Sequence, residues 1–589
     1  MKYYHADGSA VELARQDFIA QGGEGQIFGK GDWIFKIYFD PDRVIPAGKI
    51  AELQRLRSPN ILVPRALLFD RKHVPVGITM GWVRSTIPLC RLFTSAFRRR
   101  RGVEPHQTLR LVENMRAGID RIHRCDCLMV DGNEFNYLVD DNDLTTPYFI
   151  DVDSYQTPGY PATAVMVTVK DFHQSGFSTA TDWFAFGVVA CQLFVGIHPY
   201  KGRHPDYGKN ELERRMRDNV SIFNPGVSLP SAARALSSIP AAYRNWFEDL
   251  FERSRRRPPP EKGRAVISLH AQPATAASTA QLMVRRLRVF DAPLTNLRVV
   301  DGVAIVRAGA HTWVGRQRIA TAVDAEVVLT DSRREPMVVS RRHRRLSVVT
   351  ADGKPIHPVP VTADSVMVVD NTLYILSEGH LLQAAFIDTG RMPVMSIRNR
   401  WSVLPNATSM FDGVLVEDVM GLPFLMIPLP GETVGRCVQI KVPELAPFRI
   451  IEARHDRGVC MLLVNDGGGP RRLELKFDRA YQRYAMRMVP DADPGSVNFI
   501  TLDNGMVVSA PDDTYLEVFQ RDPRHPEIRR IRRRELSGPM VLARDGRRVL
   551  FMQANTLFQL TMAAPEAGSW EPATTRSDSP PAVRTWRTP

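Results

Sequence analysis

A lysine in the middle of an apolar strand is costly unless something anionic meets it. This chain has one, Lys36, in the run Ile34-Phe35-Lys36-Ile37-Tyr38. Shortly before it come Gly22, Gly23 and Gly25 in QGGEGQIF. Glycines let a backbone turn tightly and bring its N–H groups close to phosphate oxygens; a plain hairpin explains them as often as a nucleotide site does. Downstream, Asp131 and Asn136 stand in MVDGNEFNYLV, and Asp151 ends the apolar run PYFID. Any one of these is also a good turn former or helix cap. In this order they form the set that phosphoryl transfer from ATP uses. A lysine holds the phosphates, an aspartate takes up or orients the proton of the attacking hydroxyl, and an asparagine and a second aspartate hold Mg²⁺.

These residues need elements to position them. Glu52 is the one glutamate between Lys36 and Arg101. Ala47, Ile50 and Leu53 recur at helical spacing behind Pro46, which suits a first helical turn. Glu52 is thereby placed on a helix beside the sheet, either paired with Lys36 or solvated; the pattern fits both. Leu109, Val112, Met115, Ile119 and Ile122 form an apolar stripe and predict a helix ahead of Asp131. The run WFAFGVVACQLFVGI is too short for the roughly 20 residues of a membrane span and predicts a buried helix.

With these motifs in place, residues 15 to about 260 resemble a protein kinase domain. They are similar to divergent bacterial Ser/Thr kinase-like proteins whose catalytic loop begins Gly-Asp in place of His-Arg-Asp. The resemblance implies a bilobal α+β fold in which GGEGQIF covers the nucleotide and Lys36 contacts its phosphates. It makes Glu52 the helix partner of Lys36, Asp131 the catalytic base, and Asn136 and Asp151 the Mg²⁺ ligands. It places the adenine-binding hinge at TMGWV, with Gly81 and Val83 offering backbone groups. ATDWFAFG becomes the helix that anchors the catalytic loop, with Asp182 at its start, and Arg257 in FERSRRRPP takes the position of the closing arginine.

The chain departs from the family pattern at several points. Met129 and Val130 precede the base, Asn133 stands where a lysine is usual, and Asp151-Val-Asp153 replaces Asp-Phe-Gly. No Pro-Glu lies between Asp153 and Asp182 to pair with Arg257. The pattern leaves three readings: an active Ser/Thr protein kinase, a nucleotide-binding pseudokinase scaffold, or a small-molecule kinase of the aminoglycoside or choline type. Retention of Lys36, Asp131, Asn136 and Asp151 favours the first. The buried helix argues against the third.

The second half reads differently. Asp370, Asp412, Asp456, Asp503 and Asp545 each precede or sit in a turn before an alternating strand, at intervals of 42, 44, 47 and 42 residues. Asp-Gly and Asp-Asn dipeptides are hairpin chemistry, and the period is that of a four-stranded β-propeller blade. Six or seven blades are expected, with a pair of β-sandwiches as the alternative. The longer interval from Asp301 to Asp370 implies one irregular blade. The expected organisation is a kinase-like domain at 1–262, a Pro/Ala-rich linker at 263–280, a propeller at 281–562 and a disordered tail at 563–589. The propeller would recruit a protein partner or substrate, and fragments 1–262 and 281–562 should each be soluble.

At 589 residues, 44% hydrophobic and 24% charged, the chain has the composition of a globular protein with several cores. Six cysteines without regular spacing fit a reducing compartment and argue against a disulfide framework or a zinc site. The N-terminus lacks the apolar stretch of a signal peptide. The expectation is a cytoplasmic protein with no membrane partner. The net charge of +13 comes from scattered arginine runs, such as residues 98–101 and 529–534, with no interleaved aromatics. That pattern weighs against nucleic acid without excluding it. No motif speaks to oligomeric state.

Overall fold

The computed structural model describes residues 1–162, 164–208, 211–260, 282–356, 360–431, 435–513, 515–532 and 540–562. The expected linker and tail fall outside these residues. The first half opens with an antiparallel seven-stranded sheet. In spatial order its strands are Ala10–Glu12, Lys2–Tyr4, Pro64–Phe69, Pro75–Gly81, Trp33–Tyr38, Gly25–Lys30 and Phe18–Gln21. Gly31, at φ 58°, takes the first position of the two-residue turn between Lys30 and Trp33, where a side chain would be strained.

Helix α1 (Ala47–Leu53) lies against this sheet, starting directly after Pro46. The remaining helices are α2 (Ser95–Arg101), α3 (Pro105–His123), α4 (Thr179–Val195), α5 (Leu212–Asp218) and α6 (Ala241–Phe251). All five stripe residues of α3 are buried. In α4 every residue from Thr181 to Val195 is buried, as an apolar run with no polar face requires. Ser178 caps its N-terminus and Gly196, at φ 94°, ends it. The helical region thus packs around α4, under a small sheet formed by Thr86–Pro88, Tyr137–Asp140 and Pro147–Phe149.

The second half is all β. Its strands form seven separate antiparallel sheets, first to seventh in chain order, spanning 294–320, 326–350, 365–402, 408–441, 449–489, 499–532 and 541–562. Each has four strands except the second, which has three among the described residues. The strand Leu282–Val289 joins the seventh sheet, pairing with Thr556–Met562. Asp301, Asp370, Asp412, Asp456, Asp503 and Asp545 all mark the hairpin between the first and second strands of their sheets. The long interval before Asp370 contains the three-stranded second sheet.

The apolar core does not stop between the halves. Ile451, Val459, Met461 and Leu463 of the fifth sheet, with Phe499, Val507 and Phe519 of the sixth, belong to the same buried cluster as Phe93, Phe97 and the α4 residues. Under the glycine-rich hairpin, Phe18, Phe28 and Phe35 pack with Ala407 beside the fourth sheet.

Candidate active site

Lys36 is 6% exposed. Its ammonium donates to Asp151 Oδ1 at 2.9 Å and to Asp153 Oδ2 at 2.6 Å, and Glu24 of the glycine-rich turn stands 3.6 Å away. Tyr38, two residues along and on the same face of the strand, donates its hydroxyl to the same Asp153 oxygen at 2.5 Å. Burial by itself drives the Lys36 pKa down, but the charges of Asp153 and Asp151 outweigh it and hold the pKa above the ordinary lysine value. Burial likewise pushes Asp153 up, and Lys36 and Tyr38 reverse that to leave it lowered.

Glu52 is not the counter-charge of Lys36. It accepts the N–H of Gly159 at 3.1 Å, and its carboxyl is held low by the Thr157 hydroxyl and that N–H. The buried face of α1 presents Lys49 instead, whose pKa is pushed down by burial and partly restored by Asp153 and Asp151. Two carboxylates already meet Lys36, so the adjoining position suits a second cation better than a third acid. Asp153, Tyr38, Lys49 and Glu24 were all missed by the motif reading. The available signal was the Asp-Val-Asp spacing, which brings a second acid to the same lysine.

Of the three loop glycines, Gly25 is sterically required: a Cβ there would lie 2.2 Å from the Ile37 carbonyl oxygen. A Cβ at Gly23 would project into open space and one at Gly22 would meet only the Gly25 carbonyl oxygen at 3.9 Å, an ordinary contact; the Gly22 N–H closes the turn on that carbonyl at 2.9 Å.

The loop bearing Asp131 is anchored from α4. Asp182 accepts the N–H groups of Met129 and Val130, each at 2.8 Å, and faces His123 Nε2 at 2.9 Å. Val130 sits at φ 61°, a left-handed conformation that strains a β-branched residue by about 1–3 kcal/mol. The Asp182 carboxylate holds it there. Asp182→Ala would leave two buried N–H groups without an acceptor, at about 1–3 kcal/mol each. It should therefore lower the unfolding free energy by about 2–6 kcal/mol in urea titrations, and a loss under 1 kcal/mol would refute the anchoring role.

Asp131 follows directly. Its Oδ1 accepts the Met166 N–H at 2.9 Å, and Asn136 Nδ2 donates to its carbonyl oxygen at 2.8 Å. Burial raises the Asp131 pKa, partly offset by the Met166 N–H and Asn133. The Asn136 carbonyl accepts the Ile150 N–H at 3.1 Å, which sets Asn136 beside Asp151, itself at φ 58°. Gly22, Gly23, Gly25, Lys36, Val83, Asn136, Asp151 and Asp153 line one cleft of about 2340 Å³ that runs on beneath the β sheets. Asp131, Gly81 and Glu52 stand outside its lining. Gly81 ends the strand Pro75–Gly81, paired with Trp33.

One further expectation changes. The closing ion pair exists, but through Arg256: its guanidinium bonds both oxygens of buried Asp171, at 2.5 and 2.7 Å. Arg257 is exposed beside Asp249. The arginine run at 98–101 is paired within the molecule. Arg98 is buried on Thr108 at 2.7 Å, Arg100 bonds Glu452 of the fifth sheet at 3.0 Å, and Arg101 bonds Asp141 at 2.5 Å. Its charges tie the molecule together internally.

No protein-family model matches this chain, and no curated protein does. Among solved structures it is similar to the Cydia pomonella granulovirus kinase PK-1, with a TM-score of 0.30 and 13% sequence identity, over 40% of this chain and 88% of that one. A likeness at that level fixes neither fold nor function, so the functional assignment rests on the residues themselves. Among the described residues no helix is long and apolar enough to cross a membrane.

Proposed function

We propose that the protein is an ATP- and Mg²⁺-dependent phosphotransferase acting on Ser/Thr hydroxyls of a protein partner. The observation that carries the reading is the buried Lys36 bonded to Asp151, with Asn136 beside Asp151 and Asp131 on a loop pinned by Asp182. The residues fit the nucleotide. Gly22 and Gly23 leave room for phosphate at the turn, Lys36 can exchange a carboxylate for phosphate oxygens, and Val83 lines the cleft where adenine would meet the hinge. Asn136 and Asp151 would hold Mg²⁺. Two protein oxygens completed by phosphates and water is the usual arrangement for that ion. When bound, Mg²⁺ neutralises charge on the phosphates; Asp131 orients the hydroxyl and takes its proton.

The β half is read as a seven-bladed propeller that engages the partner. Three observations support this: seven sheets follow in succession, the strand Leu282–Val289 completes the last of them, and Arg544 of the seventh sheet bonds both Asp456 of the fifth and Asp370 of the third. A second reading, nucleotide binding without turnover, draws on Asn133. Its side chain accepts the Phe135 N–H at 2.8 Å, so it is spent on the loop turn.

Binding is tested by fluorescent-nucleotide titration with and without Mg²⁺. Asp151→Asn should abolish the Mg²⁺ dependence of affinity. Lys36→Ala should weaken binding at least about tenfold, as expected for loss of a charge-assisted contact worth roughly 1.5–3 kcal/mol. If both variants, checked as folded by circular dichroism, bind Mg·ATP like the parent, the site is misassigned.

A further inference from the structure

A second cavity, of about 110 Å³, lies where α4, the catalytic loop and the fifth sheet meet. Glu134, Gln192, Lys201, Arg215, Asn465 and Asp491 contribute to its walls. Glu134, between Asn133 and Phe135 of the catalytic loop, is buried and accepts from Asn465 Nδ2 at 3.4 Å. Gln192 is 8% exposed and its Oε1 has no hydrogen-bond partner among the described residues; the same holds for Asp491 Oδ2 and for Nη2 of the buried Arg215. Lys201 donates to Asp491 Oδ1 at 3.2 Å, and Arg215 donates to the carbonyls of Val220 and Gly202 at 3.0 and 2.8 Å.

Buried polar groups in native proteins are as a rule hydrogen-bonded. Two acceptors and one guanidinium N–H at one cavity call for a molecule with donors at one end and an acceptor at the other. Charge narrows the choice. Glu134, Asp491 and Asp493 balance Lys201, Arg203 and Arg215 around the cavity, so a net anion or cation gains little and a zwitterion can use both signs. Size narrows it again. The cavity is several times the roughly 30 Å³ share of one water and well under the roughly 300 Å³ at which drug-sized pockets begin. A nucleotide or a peptide does not fit.

We propose that this cavity binds a small zwitterion of free amino-acid size, its ammonium at Gln192 and Asp491 and its carboxylate at Arg215, and that the catalytic loop senses it through Glu134. The site itself is independent of the phosphotransfer reading; only the coupling rests on it. The test is thermal unfolding of the full-length protein with glycine, alanine or serine, against methylamine and acetate as controls. At least one amino acid should raise the parent's unfolding temperature while neither control does. The shift should vanish in Gln192→Leu and also in Leu463→Phe, which fills the cavity without touching a charge; circular dichroism confirms that both are folded. A saturating amino acid should then change the affinity for Mg·ATP by about fivefold or more, the lower range of measured couplings between sites. No shift with any of the three amino acids, or equal shifts in parent and variants, overturns the site. Binding with unaltered nucleotide affinity overturns the coupling to the catalytic loop.

Discussion

Asp131→Asn should cut phosphoryl transfer by about two to four orders of magnitude while leaving Mg·ATP affinity within about twofold, because a base acts in the transition state and contributes little to ground-state binding. The substitution is conservative in geometry. An asparagine oxygen still accepts the Met166 N–H, and the carbonyl that receives Asn136 is untouched. What is lost is the capacity to take a proton. Burial raises the Asp131 pKa, so the acid limb of the parent's rate profile should lie above the ordinary aspartate value of 3.8. The group is active only when ionised, so the rate falls as pH drops through that limb. Single-turnover transfer from labelled ATP to casein or to the protein itself, across pH, reads both effects. An Asp131→Asn enzyme with parental turnover would remove Asp131 from the chemistry. A parent that binds Mg·ATP and transfers nothing to any acceptor would favour the scaffold reading.

Some of this site was legible in the residues because its positions are forced by burial. A lysine flanked by Phe35 and Ile37 must meet an anion, and a helix as apolar as α4 must lie in a core. The strand period of the β half was legible for a similar reason: an Asp-Gly or Asp-Asn turn fixes where a hairpin reverses, four of the five spaced aspartates stand in such a dipeptide, and the fifth, Asp456, precedes Arg457-Gly458 at the corresponding hairpin. The partners were not legible. The Asp-Val-Asp spacing offered Asp153 as a second acid, but nothing local removes Glu52 from Lys36, because that depends on how α1 rolls against the sheet, and the roll is set by tertiary packing. The choice of Arg256 over Arg257 has the same origin. Adjacent residues point to different faces, and only the position of Asp171 selects between them. Composition alone does not show what the arginine run at 98–101 meets. Unpaired charge in a sequence looks solvated until Glu452 and Asp141 arrive from elsewhere in the chain.

That same run bears on whether the halves can be parted. Patterning leads one to expect two separately stable bodies, since each half carries its own apolar periodicity. The packing leads to the opposite expectation. Ala407, beside the fourth sheet, packs under the glycine-rich hairpin, and a Cβ at Gly421 would strike the Gln21 side chain at 2.6 Å. The fifth and sixth sheets share their core with α4, Arg100 bonds Glu452, and Lys201 bonds Asp491. The β half therefore grips the sheet that carries Lys36 and the helical region that carries Asp131, on either side of the cleft. Cutting it away would bare contiguous apolar surface, which soluble monomers rarely expose beyond a few hundred Å². The full-length protein should accordingly unfold in one calorimetric transition, and the fragment 1–262 alone should bind an apolar dye and lose nucleotide-induced stabilisation. Adding fragment 281–562 should restore it. Glu452→Ala, which strips Arg100 of its carboxylate acceptor, should cost about 1.5–3 kcal/mol, the usual worth of a hydrogen bond to a charged group, and should weaken Mg·ATP binding although Glu452 lies far from Lys36 and Asp151 in sequence. Two resolved transitions, together with a 1–262 fragment that binds nucleotide as the whole chain does, would show that the β half is a tethered recruiter and not part of the frame that sets the cleft.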